Sequence, residues 1–142
     1  ALTYAEVEYK TLWDEEVYKG DLSKYDWLHL HHEDFTGQYG KFYRNYHTAS
    51  WYLEQKNQFE SLALKLGFSS VPEQKKALAQ IIKDYVASGG FLFAMCSASD
   101  SFDIALATSR VDAAHSVYDG TPVDPDLANK LNFRATFLII SN

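Results

Sequence analysis

Gly89-Gly90-Phe91-Leu92-Phe93-Ala94-Met95-Cys96-Ser97-Ala98 is the stretch that decides how the rest of the chain is read. The run from Phe91 to Cys96 is short, apolar and preceded by a glycine pair, which is the pattern of a buried strand. Cys96 closes it with Ala94 and Ala98 two positions to either side. That is the small-x-nucleophile-x-small spacing of a nucleophile elbow, with Cys in place of the commoner Ser. Small residues are required there because a strand turns abruptly into a helix only where nothing bulky crowds the bend. A thiol at such a turn projects from the carboxyl end of the strand, beside a helix N-terminus that favours the thiolate. The competing reading is an inert buried cysteine, the usual state of a free thiol.

Upstream of the glycine pair, residues 72–87 read as a helix. Pro72 lies near its first position, Glu73 in its first turn, and Leu78, Ile81, Ile82, Tyr85 and Val86 at i, i+3, i+4, i+7 and i+8. Residues 51–66 form another run of helix formers, closed by Gly67. Downstream, Ser97 and Asp100 have capping-box spacing and open a helix carrying Phe102, Ile104, Ala105 and Leu106. Residues 25–32 read as a strand, and residues 33–46, with Gly37 and Gly40, as an aromatic binding or active-site loop. Weaker patterns suggest a helix end at residues 1–7, a short strand at 8–13 and a charged connection at 14–22. A strand at 111–118, a loop at 121–125 and a final strand at 134–140 complete the series. Helices alternating with short apolar strands predict an α/β domain with a mostly parallel sheet. The strand that would normally open such a fold is missing, so the chain reads as a portion of a longer protein.

At 142 residues the chain suits a single domain, residues 1–142, large enough to bury a core without metal or disulfide staples. Its 46% hydrophobic content places it among globular chains. A net charge of -6 without any basic stripe argues against nucleic-acid binding. One cysteine excludes an internal disulfide and a cysteine-based zinc ribbon. The longest apolar runs, residues 91–96 and 135–140, fall far short of the roughly twenty residues a spanning helix needs. No charged segment followed by an apolar one marks a signal peptide at the start.

In an open parallel sheet, ligands bind beyond the carboxyl ends of the strands. Two strands deliver polar groups there: one ends His31-His32-Glu33-Asp34, the other at Cys96. Cys96 as a nucleophile needs a base and oxyanion donors. The base candidates are His31, His32 and His115, the first donor is the Ser97 amide, and the Gly37–Gly40 backbone offers a second. Glu33, Asp34 and Tyr39 are candidate binding residues beside them. The same His and acid residues suit a divalent metal. Strand alternation, however, points His31 and His32 to opposite faces, so a shared ion would need His47, His115 or a distant acid. No cofactor and no metal site is expected on that basis. His29, on the face of His31, reads as a packed strand residue. The aromatics Phe35, Tyr39, Phe42, Tyr43, Tyr46, Trp51 and Tyr52 are either a contact platform for a glycan or protein or, the preferred reading, packing. Gly89-Gly90 precedes a strand rather than a helix, so it is a helix stop and not a phosphate loop.

Together these features resemble the class I glutamine amidotransferase-like superfamily, and the block from Gln74 to Ala98 is similar to its trehalose-utilisation-type branch. Residues 25–43 (YDWLHLHHEDFTGQYGKFY) and 89–107 (GGFLFAMCSASDSFDIALA) resemble a longer bacterial exported family often labelled asparagine synthetase B. The label does not carry over as a function, because the chain has no N-terminal Cys and no Ser-Gly-Gly-x-Asp-Ser loop. The resemblance implies a flavodoxin-like three-layer sandwich with Cys96 at the nucleophile position and the Ser97 amide at the oxyanion hole. It implies a thiol-dependent amide or acyl hydrolase-like domain, active or degenerate, in the bacterial cell envelope, periplasmic or exported. Superfamily members also carry a late His-x-Glu pair, whereas His115 is followed here by Ser116 and Val117. The rival expectation is a non-catalytic binding or assembly module with envelope protein partners, using residues 31–46 as its contact surface.

Overall fold

Strands β1 (Trp27–His31) and β2 (Phe91–Met95) lie side by side and parallel in the computed structural model, which describes residues 6–137. Trp27 pairs with Phe91, His29 with Phe93 and His31 with Met95, so the two strands end together at the same edge. This is the adjacency that the site requires. Alternation sends Leu28, Leu30, Leu92 and Ala94 to the inner face, where they meet the helices. Trp27, Phe91, Phe93 and Met95 are left exposed on the other face.

Two helices build the inner layer. Helix α4 (Val71–Ala87) starts where Ser70 accepts a hydrogen bond from the Glu73 amide and Pro72 occupies the first turn. Its Leu78, Ile82 and Tyr85 are buried, with Ile81 and Val86 half-buried at the margin. Helix α5 (Ser97–Ala107) leaves β2 at once and buries Ala98, Phe102, Ala105 and Leu106 against α4 and both strands. Ile104 is exposed. Phe35, buried to 2% exposure just after β1, meets Phe102 edge to face at 5.3 Å. Fully burying such a side chain is worth about 1.5–3 kcal/mol, so these few residues carry much of the core.

The remaining helices bracket this centre. Helix α1 (Asp14–Tyr18) is tied to α4 through Asp14, which accepts from Gln74 and Lys75. Helices α2 (Gly40–Tyr46) and α3 (Ser50–Lys65) follow β1, and Gly67 in the left-handed region ends α3 as expected. Helix α6 (Ser116–Asp119) packs on α4. The end of the described chain folds back: Phe137 stacks on Phe102, and its amide donates to Asp103.

Several expectations need correction. Residues 8–13 form no strand, because none of the described residues pairs with them in a sheet. Residues 14–22 contain α1, started by Glu16 accepting from the Trp13 amide, and the first part of a 3-10 turn at Asp21–Lys24. Helix α2 occupies the second half of the expected loop. Ser97 is the first residue of α5 and not its cap; Cys96 holds the cap position without a side-chain hydrogen bond. Residues 111–118 hold an irregular segment and the start of α6, and 133–135 form a 3-10 turn, so neither begins a strand. Residues 136–137 are bends, while residues 138–140 of the expected last strand and 1–5 of the expected helix end lie outside the described residues. The architecture is thus mixed helix and strand, with a two-stranded parallel sheet.

Glu15 joins α1 to α3, accepting from Lys19 of its own element's end and from Lys65. The two ammonium hydrogen bonds hold its carboxyl well down, from 4.5 to about 2. A depressed value in the folded state means that its stabilising share is present above the ordinary value and is lost as pH falls toward the folded one. Glu15→Gln is therefore expected to lower stability slightly at neutral pH and to flatten the acid limb below about pH 4.5, the two curves converging as pH falls and the difference shrinking in high salt, as thermal melts across that range would read.

Candidate functional site

The parallel register brings the ends of β1 and β2 together, and both chains leave in conformations that reverse their direction. His32 has φ +69° and Cys96 φ +57°, both in the region disfavoured for residues with a Cβ. Cys96 combines this with ψ -139°, a strained link between strand and helix. Such a residue costs on the order of 1–3 kcal/mol and persists only where its surroundings over-determine it. Here they do. On one side β2 is held in the sheet, and on the other Ala98 is wholly buried under the helices.

The consequence for side chains contradicts the alternation argument. In a regular strand, His31 and His32 would face opposite ways. The left-handed turn at His32 swings its ring back beside that of His31, with centroids 4.0 Å apart. One ligand-capable atom from each of His31, His32 and Cys96 lies within 4.8 Å of the other two. All three side chains are exposed. The segment is anchored from below, where the buried Ser101 hydroxyl on α5 donates to the Glu33 carbonyl at 2.9 Å. His29 sits one pair back, its Nε2 3.5 Å from the Met95 sulfur and its ring edge-on to Phe93, a packed residue as expected.

The other expected site residues have different surroundings. Asp34 is a turn residue: its Oδ1 accepts from the Thr36 amide and hydroxyl at 2.8 and 2.6 Å. Glu33 is exposed. His115 caps α6, its Nδ1 accepting from the Val117 amide, while its own amide donates to Gln38. Among the described residues, it does not join the three-residue cluster. Gly37, at φ +67°, lies so close to the Pro72 backbone that a Cβ would stand 2.7 Å from its nitrogen.

Tyr39 belongs to an aromatic nest rather than to the cluster. Its ring stacks on Phe59 at 5.7 Å and meets Tyr52 and Tyr118 edge-on. Its hydroxyl is buried without a hydrogen-bond partner, and burial, with nearby Glu60, pushes that phenol well above its ordinary range. Tyr43 joins the same nest, whereas Phe42, Tyr46 and Trp51 remain exposed. The aromatic run is therefore mostly packing, with an exposed fringe.

Among the described residues, no helix is long and apolar enough to cross a membrane. Comparison of the chain with protein-family models, curated proteins and solved structures finds no significant match in any of the three.

Proposed function

We propose that this chain is a thiol-dependent amide or acyl hydrolase-like domain of the class I glutamine amidotransferase-like type, with Cys96 as nucleophile. The observation that carries the reading is Cys96 itself. It stands on a strained strand-to-helix turn, small residues to either side, with His31 and His32 brought to it from the adjacent parallel strand. An exposed nucleophile on a strained turn is the geometry that lets a substrate carbonyl approach from above the sheet. Either histidine is close enough to act as base once a substrate tightens the site.

In this reading the histidine accepts the thiol proton, and the sulfur attacks the carbonyl carbon. The Ser97 amide, the first of α5, donates to the resulting oxyanion. Collapse returns the proton to the departing amine and leaves a thioester, which water then hydrolyses. The finer fold assignment belongs here too. A parallel strand pair with both helices on one face and an apolar face left bare is what part of a larger flavodoxin-like sandwich would present. Placement in the bacterial cell envelope, exported or periplasmic, rests on the sequence resemblance.

The rate of Cys96 alkylation by iodoacetamide across pH tests this reading. The expected profile keeps substantial reactivity near neutral pH and moves to more alkaline pH in His31→Ala or His32→Ala, with His115→Ala close to the parent. A thiol that stays inert until the protein unfolds, or a profile indifferent to both variants, would overturn it.

A second reading has its own observation. The exposed Trp27, Phe91, Phe93 and Met95 on the bare sheet face suit a binding or assembly module, and Phe42, Tyr46 and Trp51 are exposed as well. An inert Cys96 together with stoichiometric capture of a protein or glycan would favour that module.

A further inference from the structure

We infer that His31, His32 and Cys96 form a three-ligand site for a borderline-soft divalent cation of the zinc class, with one coordination position left open. The site follows from the geometry and does not require the hydrolase reading, although both use Cys96. Two imidazoles and a thiolate are the donor types such ions select over magnesium or calcium. One candidate atom from each side chain lies within 4.8 Å of the others. Ligand atoms around a tetrahedral zinc ion, at about 2.0–2.3 Å from the metal, are roughly 3.3–3.8 Å apart. All three side chains are exposed, so small rotamer changes can close the difference without disturbing the core.

What makes this more than chance proximity is how the three are held. Adjacent histidines in a regular strand cannot share an ion, and these can only because His32 adopts the left-handed conformation. The ligands come from two strands fixed in register, so the site is built before an ion arrives. Three protein ligands leave the fourth position to water or an anionic substrate group, the arrangement of catalytic rather than structural zinc sites.

Binding balances simply. The cation forms bonds to one nitrogen of each imidazole and to the Cys96 sulfur, the thiol proton passes to buffer, and nothing is oxidised or reduced. While the ion is bound, the sulfur's lone pair is engaged, so metal occupancy and nucleophilic attack by Cys96 exclude each other. In the hydrolase reading, the ion is a reversible block.

Cobalt(II) titration of the purified, chelator-treated chain tests the site directly. The expected result is one ion per chain with visible bands of tetrahedral intensity and a thiolate-to-metal charge-transfer band. Cys96→Ser removes the charge-transfer band, and His31→Ala and His32→Ala each weaken binding by about tenfold or more, whereas His47→Ala leaves it unchanged. A measurement that needs no variant runs beside it. One equivalent of zinc should slow alkylation of Cys96 in the parent protein by about tenfold or more, reversed by EDTA. No stoichiometric binding, a cobalt spectrum without thiolate character, or binding indifferent to both histidine variants would overturn the site. Alkylation of the metal-free protein separates the two ideas. A reactive thiol that zinc fails to protect sinks the metal site alone, and an inert thiol that still binds cobalt sinks the hydrolase alone.

Discussion

Phe102→Ala is expected to cost about 3–5 kcal/mol of unfolding free energy, a large share of what a domain this size has. Phe102 is 2% exposed and stands where three parts of the chain converge. Phe35 meets it edge-on from the segment after β1, and Phe137 stacks on it at 5.8 Å from the end of the described chain. Its own helix begins directly after Cys96. Truncation therefore opens a cavity below the site and frees the segments that frame it. Urea denaturation monitored by tryptophan fluorescence would read the loss as a shift in midpoint. Phe102→Leu, which keeps most of the volume, should lose much less. A Phe102→Ala variant within about 1 kcal/mol of the parent would mean that the layer relaxes far more readily than a close-packed core does.

Gly90→Ala is the second large effect, and its cause is steric. A Cβ at position 90 would overlap the ring of Tyr85, which folds back over the end of α4. Gly90 is not in the left-handed region, so conformation alone would tolerate alanine. Gly89 is the reverse case: φ is +108°, but open space surrounds the missing Cβ. Gly89→Ala should therefore cost about 1–2 kcal/mol, from backbone conformation alone. Gly90→Ala should cost more, on the order of 2–3 kcal/mol, since Tyr85 is buried and cannot move away freely. The pair Tyr85→Ala and Gly90→Ala distinguishes this from a general weakness of the turn. The double variant should be clearly less destabilised than the sum of the singles, because the clash is gone once the ring is removed. Additive losses would refute the steric explanation.

How much of this was legible in the sequence follows from which rules are local. The spans of α3 and α4 were readable because Gly67, Pro72 and the glycine pair punctuate them, and each of those residues acts through its own backbone. Both strands were readable as apolar runs between such marks. The alternation of helix and strand predicted a parallel sheet, but that these two strands are neighbours came only from the structure. Residues 8–13 show where propensity fails: Tyr9, Thr11 and Trp13 alternate as a strand would, but a strand exists only with a partner. Helix α1 was hidden because five residues carry too little periodicity to register, and its start depends on one Glu16 side chain. The most consequential miss was the orientation of His32. Period-two alternation is a sound rule inside a strand, and it stopped applying one residue sooner than the apolar pattern suggested. A polar run of His, His, Glu and Asp at a strand end was the available hint that the ladder had finished.

The parallel register has a further consequence, for the order in which the molecule is made. His29 and Met95 touch although they are 66 positions apart in the chain, and α2, α3 and α4 all lie between them. Contacts of such separation form slowly, after the local helices that shorten the loop. The two halves of the His31–His32–Cys96 cluster therefore meet late in folding, and the unfolded chain offers only a histidine pair. Anything that grips both halves recognises the finished protein alone. By mass action it would add about 2.7 kcal/mol to the unfolding free energy at a concentration one hundred times its dissociation constant. Thermal stability thus becomes a gauge of site occupancy, legible without any knowledge of the reaction.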